Sequence, residues 1–197
     1  VNLSQDQCAS LLKEMKGEVS IAAINSPTAV TLAGDALALQ AIQEHLAQRG
    51  EAGRFLQVEV PYHSPFMEPL KPEVRSVLAQ LKPQKPTIPL YSTVTGDVVT
   101  GVLYDAEYWC DNIRESVYFA EGISSLLRDG HRVFLEVGPH PVLSTSIKEC
   151  CRYRNVEAQT IASLRRQKPE RRTFSMGLAQ LYIAGCPIDW RRQYSAD

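Results

Sequence analysis

Much is missing from these 197 residues, and each absence closes a class of function. The five cysteines, Cys8, Cys110, Cys150, Cys151 and Cys186, contain no Cys-x-x-Cys pair, so no spacing supports a zinc or thioredoxin-like site and no metal site is expected. An odd set of scattered thiols fits reduced cysteines in a cytoplasmic protein, and adjacent Cys150 and Cys151 would point apart on a helix. The formal net charge is −1, which gives no field to draw nucleic acid or an anionic membrane. No apolar run approaches the roughly 18–20 residues of a membrane span, so no membrane partner is expected. Phosphate-loop and dinucleotide patterns are absent. So is the G-x-S-x-G elbow of a serine hydrolase: Gly122-Ile123-Ser124-Ser125-Leu126 begins like one, but lies in an amphipathic stretch and lacks the final glycine. Aromatic residues are 8% of the chain and none interrupts the basic run Arg165–Arg172, which therefore reads as a solvated face and not as a stacking platform. The start, Val-Asn-Leu-Ser-Gln-Asp-Gln, has neither an initiator Met nor a signal-like apolar region.

What is present is an ordinary globular composition, 44% hydrophobic and 22% charged, with enough length for one good core or two small ones. Ser4 caps a first helix whose apolar face is Cys8, Leu11, Leu12 and Met15, ending at Gly17. Val19 to Asn25 and Ala29 to Ala33 read as strands split by Asn25-Ser26-Pro27, followed by a helix from Asp35 to Gln48 stopped by Gly50. Arg54 to Val60 alternates as a strand. The order α-β-β-α-β is one strand short of a β-α-β-β-α-β unit, and the expectation is that the natural polypeptide continues upstream of Val1.

From Pro61 the texture changes. Ser64-Pro65 reads as a cap and first turn of a helix marked by Met67, Leu70, Val74, Val77, Leu78 and Leu81. Ile88–Val94 reads as a strand, Thr95-Gly96-Asp97 as a turn, the segment around Ala120–Arg128 as a helix, and Arg132–Val137 as a strand. Gly138-Pro139-His140-Pro141 then leads into a helix through Ile147. This alternation is that of a parallel α/β sheet. A basic stretch from Ile161 to Arg172 and a helix with Phe174, Leu178, Leu181 and Tyr182 on one face close the chain.

Two histidines carry candidate chemistry. His63 lies just past a strand end in Val60-Pro61-Tyr62-His63-Ser64-Pro65, where open α/β sheets gather functional side chains, and an imidazole can take a proton from a hydroxyl and return it. The bland alternative is a loop or capping histidine. His140 follows a tight turn at a helix entrance, where structural hydrogen bonding is as good an explanation as active-site support. His45 and His131 have only polar surface to recommend them.

The motifs then fall into a recognisable order: Asn25-Ser26-Pro27 with Thr31-Leu32-Ala33-Gly34-Asp35; His63-Ser64-Pro65-Phe66-Met67; Tyr108-Trp109 with Asn112-Ile113-Arg114; Glu136-Val137-Gly138-Pro139-His140-Pro141-Val142-Leu143; and Pro187-Ile188-Asp189-Trp190. Together they resemble the carboxy-terminal part of an acyltransferase domain of a modular polyketide synthase, a family similar to malonyl-CoA:acyl-carrier-protein transacylases. The resemblance implies an α/β fold: a ferredoxin-like small subdomain lacking its first strand (1–60), the returning part of an α/β-hydrolase-like core (61–151) and a post-domain linker (152–197). It implies that His63 activates a serine for attack on an acyl-CoA thioester, and that the acyl-serine passes its group to the phosphopantetheine thiol of an acyl carrier protein. Asn112 matches the residue whose backbone carbonyl orients that histidine. No cofactor is held by the chain itself; acyl-CoA is substrate, and the carrier protein brings the phosphopantetheine.

In the family the nucleophilic serine, the arginine that pairs the substrate carboxylate and an oxyanion donor all lie upstream of the matching segment. The isolated chain is therefore expected to be inactive without that half, which joins the carrier protein and a neighbouring ketosynthase domain as an expected partner. Extender choice in the family follows a tetrad ending in the histidine, His-Ala-Phe-His for malonyl and Tyr-Ala-Ser-His for methylmalonyl. Here it is Val60-Pro61-Tyr62-His63, and bulky Tyr62 in the place of Phe tilts the expectation to malonyl over methylmalonyl. The rival reading is a non-catalytic docking module for carrier-protein or ketosynthase domains.

Overall fold

The first helix starts where Ser4 can cap it. In the computed structural model, which describes residues 1–58 and 60–192, α1 (Gln5–Glu14) opens with a capping box: the Ser4 hydroxyl accepts from the Gln7 amide and the Gln7 side chain accepts from the Ser4 amide. Strands β1 (Val19–Ser26) and β2 (Ala29–Gly34) form an antiparallel hairpin. Helix α2 (Ala36–Gln48) is capped by the Asp35 carboxylate on the Ala38 amide. The helical spacing of Cys8 and Leu11, and of Ile42 and Leu46, turns one stripe of each helix inward, where with Leu3 and Val30 they make a shared core.

The alternation at 54–60 does not produce a strand: residues 54–58 and 60 carry no ladder, and Glu59 lies outside the described residues. A strand exists only through hydrogen bonds to a neighbour. The nearest such bond is from Asn2 N–H to Ala52 O, before the segment begins, and Phe55, Leu56 and Val58 remain exposed.

The long helix expected after Ser64 is divided. Pro65–Leu70 forms a 3₁₀ turn and α3 (Lys71–Val77) is a short α-helix, because Pro69 and Pro72 each lack an amide donor where a continuous helix would use one. Of the face read as buried, only Met67 is; Val77 is 74% exposed. The strand read over Ile88–Val94 shrinks to β3 (Tyr91–Ser92), paired with β4 (Asp97–Val98) around a turn in which Gly96 has φ +73°. Buried Ser92 holds that turn. Its oxygen receives the Val94 and Thr95 amides and meets the Tyr108 hydroxyl at 3.0 Å. Helix α4 (Ala106–Arg114) is capped by Asp105, after which Val117 bridges β1 at Ala23.

The chain divides into two compact units, Val1–Leu126 and Leu127–Asp197, the division falling near the end of α5 (Phe119–Arg128). In the second unit β5 (Val133–Glu136) pairs in parallel with β6 (Gln159–Ala162), joined by α6 (Ser144–Tyr153), a βαβ crossover that makes the fold α/β. Strand β6 lies in the segment read as linker and was not expected from its four residues. Helix α7 (Glu170–Ile183) packs on β6 at buried Gly177, where an added Cβ would come within 3.2 Å of the Ala162 carbonyl. The stripe read from Phe174 to Tyr182 is not its buried face, for both ends are exposed. The last residues of the 152–197 stretch, 193–197, lie outside the described residues. No disulfide joins any of the five cysteines. Among the described residues no helix is long and apolar enough to cross a membrane.

Candidate active site

The backbone around His63 is bent three times in five residues. Tyr62 N–H donates to Val60 O at 2.9 Å, closing a tight turn on Pro61, whose ring already fixes φ. His63 itself sits at φ +61°, a left-handed conformation that costs a non-glycine residue free energy and persists only where its surroundings enforce it. Fully buried Ser64 returns to extended geometry and donates its hydroxyl to the Pro61 carbonyl; it does not cap the helix through its side chain, contrary to its sequence reading. A third tie comes from outside: His63 N–H donates to Ile113 O at 2.9 Å.

These constraints aim the imidazole at the end of α4. His63 Nδ1 lies 3.0 Å from the backbone carbonyl of Glu115. A carbonyl can only accept, so Nδ1 carries the proton and, in the neutral ring, Nε2 is left with a free lone pair. The orienting carbonyl is thus not that of Asn112. Asn112 is inside α4, where carbonyls run along the helix axis, whereas Glu115 is the C-cap, in extended geometry (φ −81°, ψ 160°), with an oxygen that has left the helical ladder. The helix ends there because the chain is taken up by β1. Ser116 Oγ donates to Ile21 O, Val117 N–H to Ala22 O, and Val117 O accepts from Ile24 N–H. Glu115 and Ile113 are the site residues that sequence reasoning missed. The signal was the helix break itself, since a helix followed at once by an extended Ser-Val must expose its last carbonyls.

Tyr62, Pro61, Val60 and His63 share the wall of an open groove of about 930 Å³ with the edge of β2. The Tyr62 ring lies 6.4 Å from the His63 ring, and Tyr62 is 51% exposed. The groove is lined by more apolar than polar side chains, among them Val30, Leu32, Phe55 and Leu56.

His140 belongs to the second unit. Its Nδ1 accepts from the Arg166 amide at 3.3 Å, and Ser163 Oγ accepts from Gly138 N–H, so the two loops that leave the carboxyl ends of β5 and β6 are tied together. Glu136 anchors the same loop. Burial opposes its charge, but the amides of Val142, Leu143 and Ser144 and the Ser144 hydroxyl outweigh this and hold its carboxyl below the usual range. Among the described residues no three His, Cys, Asp or Glu side chains are grouped to hold a metal ion.

The family model of the acyl transferase domain matches residues 1–187. Polyketide synthase GfsB of Streptomyces halstedii is 37% identical over 191 residues, covering 96% of this chain and 3% of that protein. Among solved structures, the acyltransferase domain from the second module of the salinomycin polyketide synthase superposes with TM-score 0.89 at 36% identity, over 98% of this chain and 45% of that one. The acyl transferase domain of SpnD in complex with 2-(pent-4-yn-1-yl)malonyl gives TM-score 0.84 at 30% identity, over 94% of this chain and 45% of that one. The chain thus spans a small fraction of the curated relative and under half of these two solved domains, and on this agreement of sequence and fold it belongs to the acyl transferase domain family of polyketide synthases.

Proposed function

We propose that this chain supplies the histidine half of an acyltransferase site that moves an extender acyl unit from coenzyme A to a carrier protein. The observation that carries the reading is the over-determined His63: a left-handed backbone, Nδ1–H committed to the Glu115 carbonyl, and Nε2 left free to take a proton. In this reading a serine from outside these residues gives its proton to Nε2 as its oxygen attacks the thioester carbonyl. The imidazolium returns the proton to the departing coenzyme A thiol, leaving an acyl-serine. The phosphopantetheine thiol of the carrier protein then gives its proton to Nε2, and its sulfur attacks the ester. That proton returns to the serine oxygen as the acyl group leaves. A backbone carbonyl does for this histidine what a carboxylate does in a Ser-His-Asp triad: it fixes the tautomer and favours the imidazolium. His140 supports the loop after β5.

The arginine for the substrate carboxylate and the oxyanion donor come with the serine, so the chain alone is inactive. Its partners are the upstream half of the domain, a neighbouring ketosynthase domain and the carrier protein. Residues 1–60 form a ferredoxin-like subdomain, 61–151 the returning part of a hydrolase-like core, and 152–197 the segment that follows the domain. In support of the first, Val1 exchanges both backbone hydrogen bonds with Val30, as facing residues of an antiparallel pair do. That pair starts a strand line along the outer edge of β2, and the groove lies between this edge and residues 53–58. In this reading the first strand of the subdomain occupies that groove, flanked by β2 and by the alternating segment 53–58. Val60, Pro61 and Tyr62 shape the wall beside the acyl α-carbon, and the bulk of Tyr62 favours malonyl over methylmalonyl. A substituted malonyl group in the similar SpnD domain supports the carboxyacyl class.

The test is intact-mass analysis of the chain extended to include the serine, given malonyl-CoA and methylmalonyl-CoA in competition. A malonyl adduct that reaches a carrier protein, and that His63→Ala abolishes, is the expected result. A methylmalonyl adduct overturns the substrate; undiminished acylation and transfer by the alanine variant overturn the role of His63.

A further inference from the structure

Between the chain that carries His63 and the helix that ends at Glu115 lies a ladder of three ion pairs. Glu68 Oε2 meets Arg114 Nε at 3.0 Å, Lys71 Nζ meets Asp111 Oδ1 at 3.2 Å, and Arg75 holds Glu107 through two parallel hydrogen bonds of 2.9 Å each. As the position on one side rises by three and then four, its partner falls by three or four: 68, 71 and 75 face 114, 111 and 107. These spacings place each set on a single helix face, and the opposite running order is that of antiparallel helices. Between the rungs the contact is close. Fully buried Cys110 donates its thiol to the Lys71 carbonyl at 3.4 Å.

We infer that Glu68, Lys71, Asp111 and Arg114, with the Arg75–Glu107 pair beyond them, are positioning residues that set the register of these two helical segments and so hold His63 Nδ1 on the Glu115 carbonyl. The inference rests on the proposed role of His63. Exposed ion pairs contribute little to stability one at a time, and these are half exposed at the Arg75 end; their value lies in discrimination between registers. A slip of one helical residue moves an atom about 1.5 Å along the axis, enough to take a 3.0 Å hydrogen bond out of range. A slip of a whole turn exchanges the three attractive pairs for one like-charged pair, Lys71 facing Arg114 or Glu68 facing Asp111, and one opposite pair, Arg75 facing Asp111 or Lys71 facing Glu107. The rung nearest the site is one residue from Glu115. Lys71 is mostly buried, and its ammonium is held protonated more firmly than usual by its hydrogen bond to Asp111.

The experiment compares the double variant Lys71→Gln/Arg114→Gln with the charge-conserving Lys71→Arg/Arg114→Lys, reading the neutral His63 ring by long-range proton–nitrogen NMR at alkaline pH. The 197-residue chain is expected to show Nδ1 protonated and Nε2 bare. The Gln pair is expected to give mixed tautomers, and the conservative pair to restore the first pattern. In the serine-containing chain the Gln pair is expected to lower kcat about tenfold with little change in KM, a part of the roughly 10²–10⁴-fold that a positioned base supplies. Should the Gln pair fold poorly, the exposed Arg75→Gln is read in the same way, with a smaller tautomer shift expected. A folded Gln pair, or Arg75→Gln in its place, with the single His63 tautomer and kcat of the parent overturns the inference. If His63→Ala leaves transfer intact, the catalytic reading fails separately, because the NMR signature reports the ladder whatever His63 does.

Discussion

Glu136 offers a quantitative test of how the second unit is built. Its carboxylate receives four hydrogen bonds: on Oε1 from the amides of Val142 at 2.6 Å and Leu143 at 3.0 Å, and on Oε2 from the amide and hydroxyl of Ser144 at 3.1 and 2.9 Å. Helix α6 has Leu143 at its N-cap, a residue with no polar atom to offer, so a strand residue seven positions earlier serves as its cap and meets the positive end of its dipole. Glu136→Gln keeps one acceptor but turns an NH₂ toward the Ser144 amide. Bonds to a charged acceptor contribute about 1.5–3 kcal/mol each, and two are lost while two weaken. Rotation of the Ser144 hydroxyl and access of water to this half-buried site return part of that, leaving a loss of about 2 kcal/mol. With a urea slope of about 2 kcal/mol/M, the midpoint of unfolding at pH 7 falls by about 1 M. Because the folded carboxyl is held below its ordinary value, the advantage of Glu over Gln is complete above the unfolded pKa of about 4.3 and disappears as pH falls through the folded value. Urea titrations of both proteins at pH 7, 5 and 3, with hydrogen exchange at Leu143 and Ser144, give the answer. Equal midpoints at pH 7, or a gap that persists undiminished at pH 3, refute the reasoning.

Two further outcomes follow from buried groups. Ser92→Ala strands the Val94 and Thr95 amides and the Tyr108 hydroxyl, so a loss of about 2–3 kcal/mol is expected by urea unfolding, with faster amide exchange confined to the 92–98 turn. Among the thiols, Cys186 is partly exposed and is expected to react first with maleimide at pH 7.5. Cys8 and Cys151 lag by about tenfold or more, since burial shields both and pushes their pKa values up; fast labelling of Cys8 in native protein contradicts this.

The caps of the first two helices were legible because each is settled within four residues, whereas Ser64 was read as a cap and makes none. Ser4 before Gln7 and Asp35 before Ala38 place an acceptor at the fixed offset that a helix start requires, whatever the rest of the chain does; Asp105 has the same offset to Tyr108, but no helix was read there. His63 could be singled out on the same terms, from a strand-end motif and a resemblance carried by short motifs. The helix divided at Pro69 and Pro72 was misread for a local reason, while the other misreadings depend on a distant partner. Arg54–Val58 has the alternation of a strand and no neighbour to bond, whereas Gln159–Ala162 has too few residues to announce itself and becomes β6 because β5 lies beside it. Asn112 is in the right helix but three residues short of the carbonyl that is free to accept.

The sequence by itself determined the starts of α1 and α2 and the hairpin, because local hydrogen-bond geometry and side-chain periodicity act over one or two turns, and it marked His63 as a candidate. The tertiary structure alone decided which carbonyl holds His63 and therefore which ring nitrogen is free. That choice depends on β1 drawing Ser116 and Val117 out of α4, and on a register set between segments some forty residues apart, and no local preference encodes either.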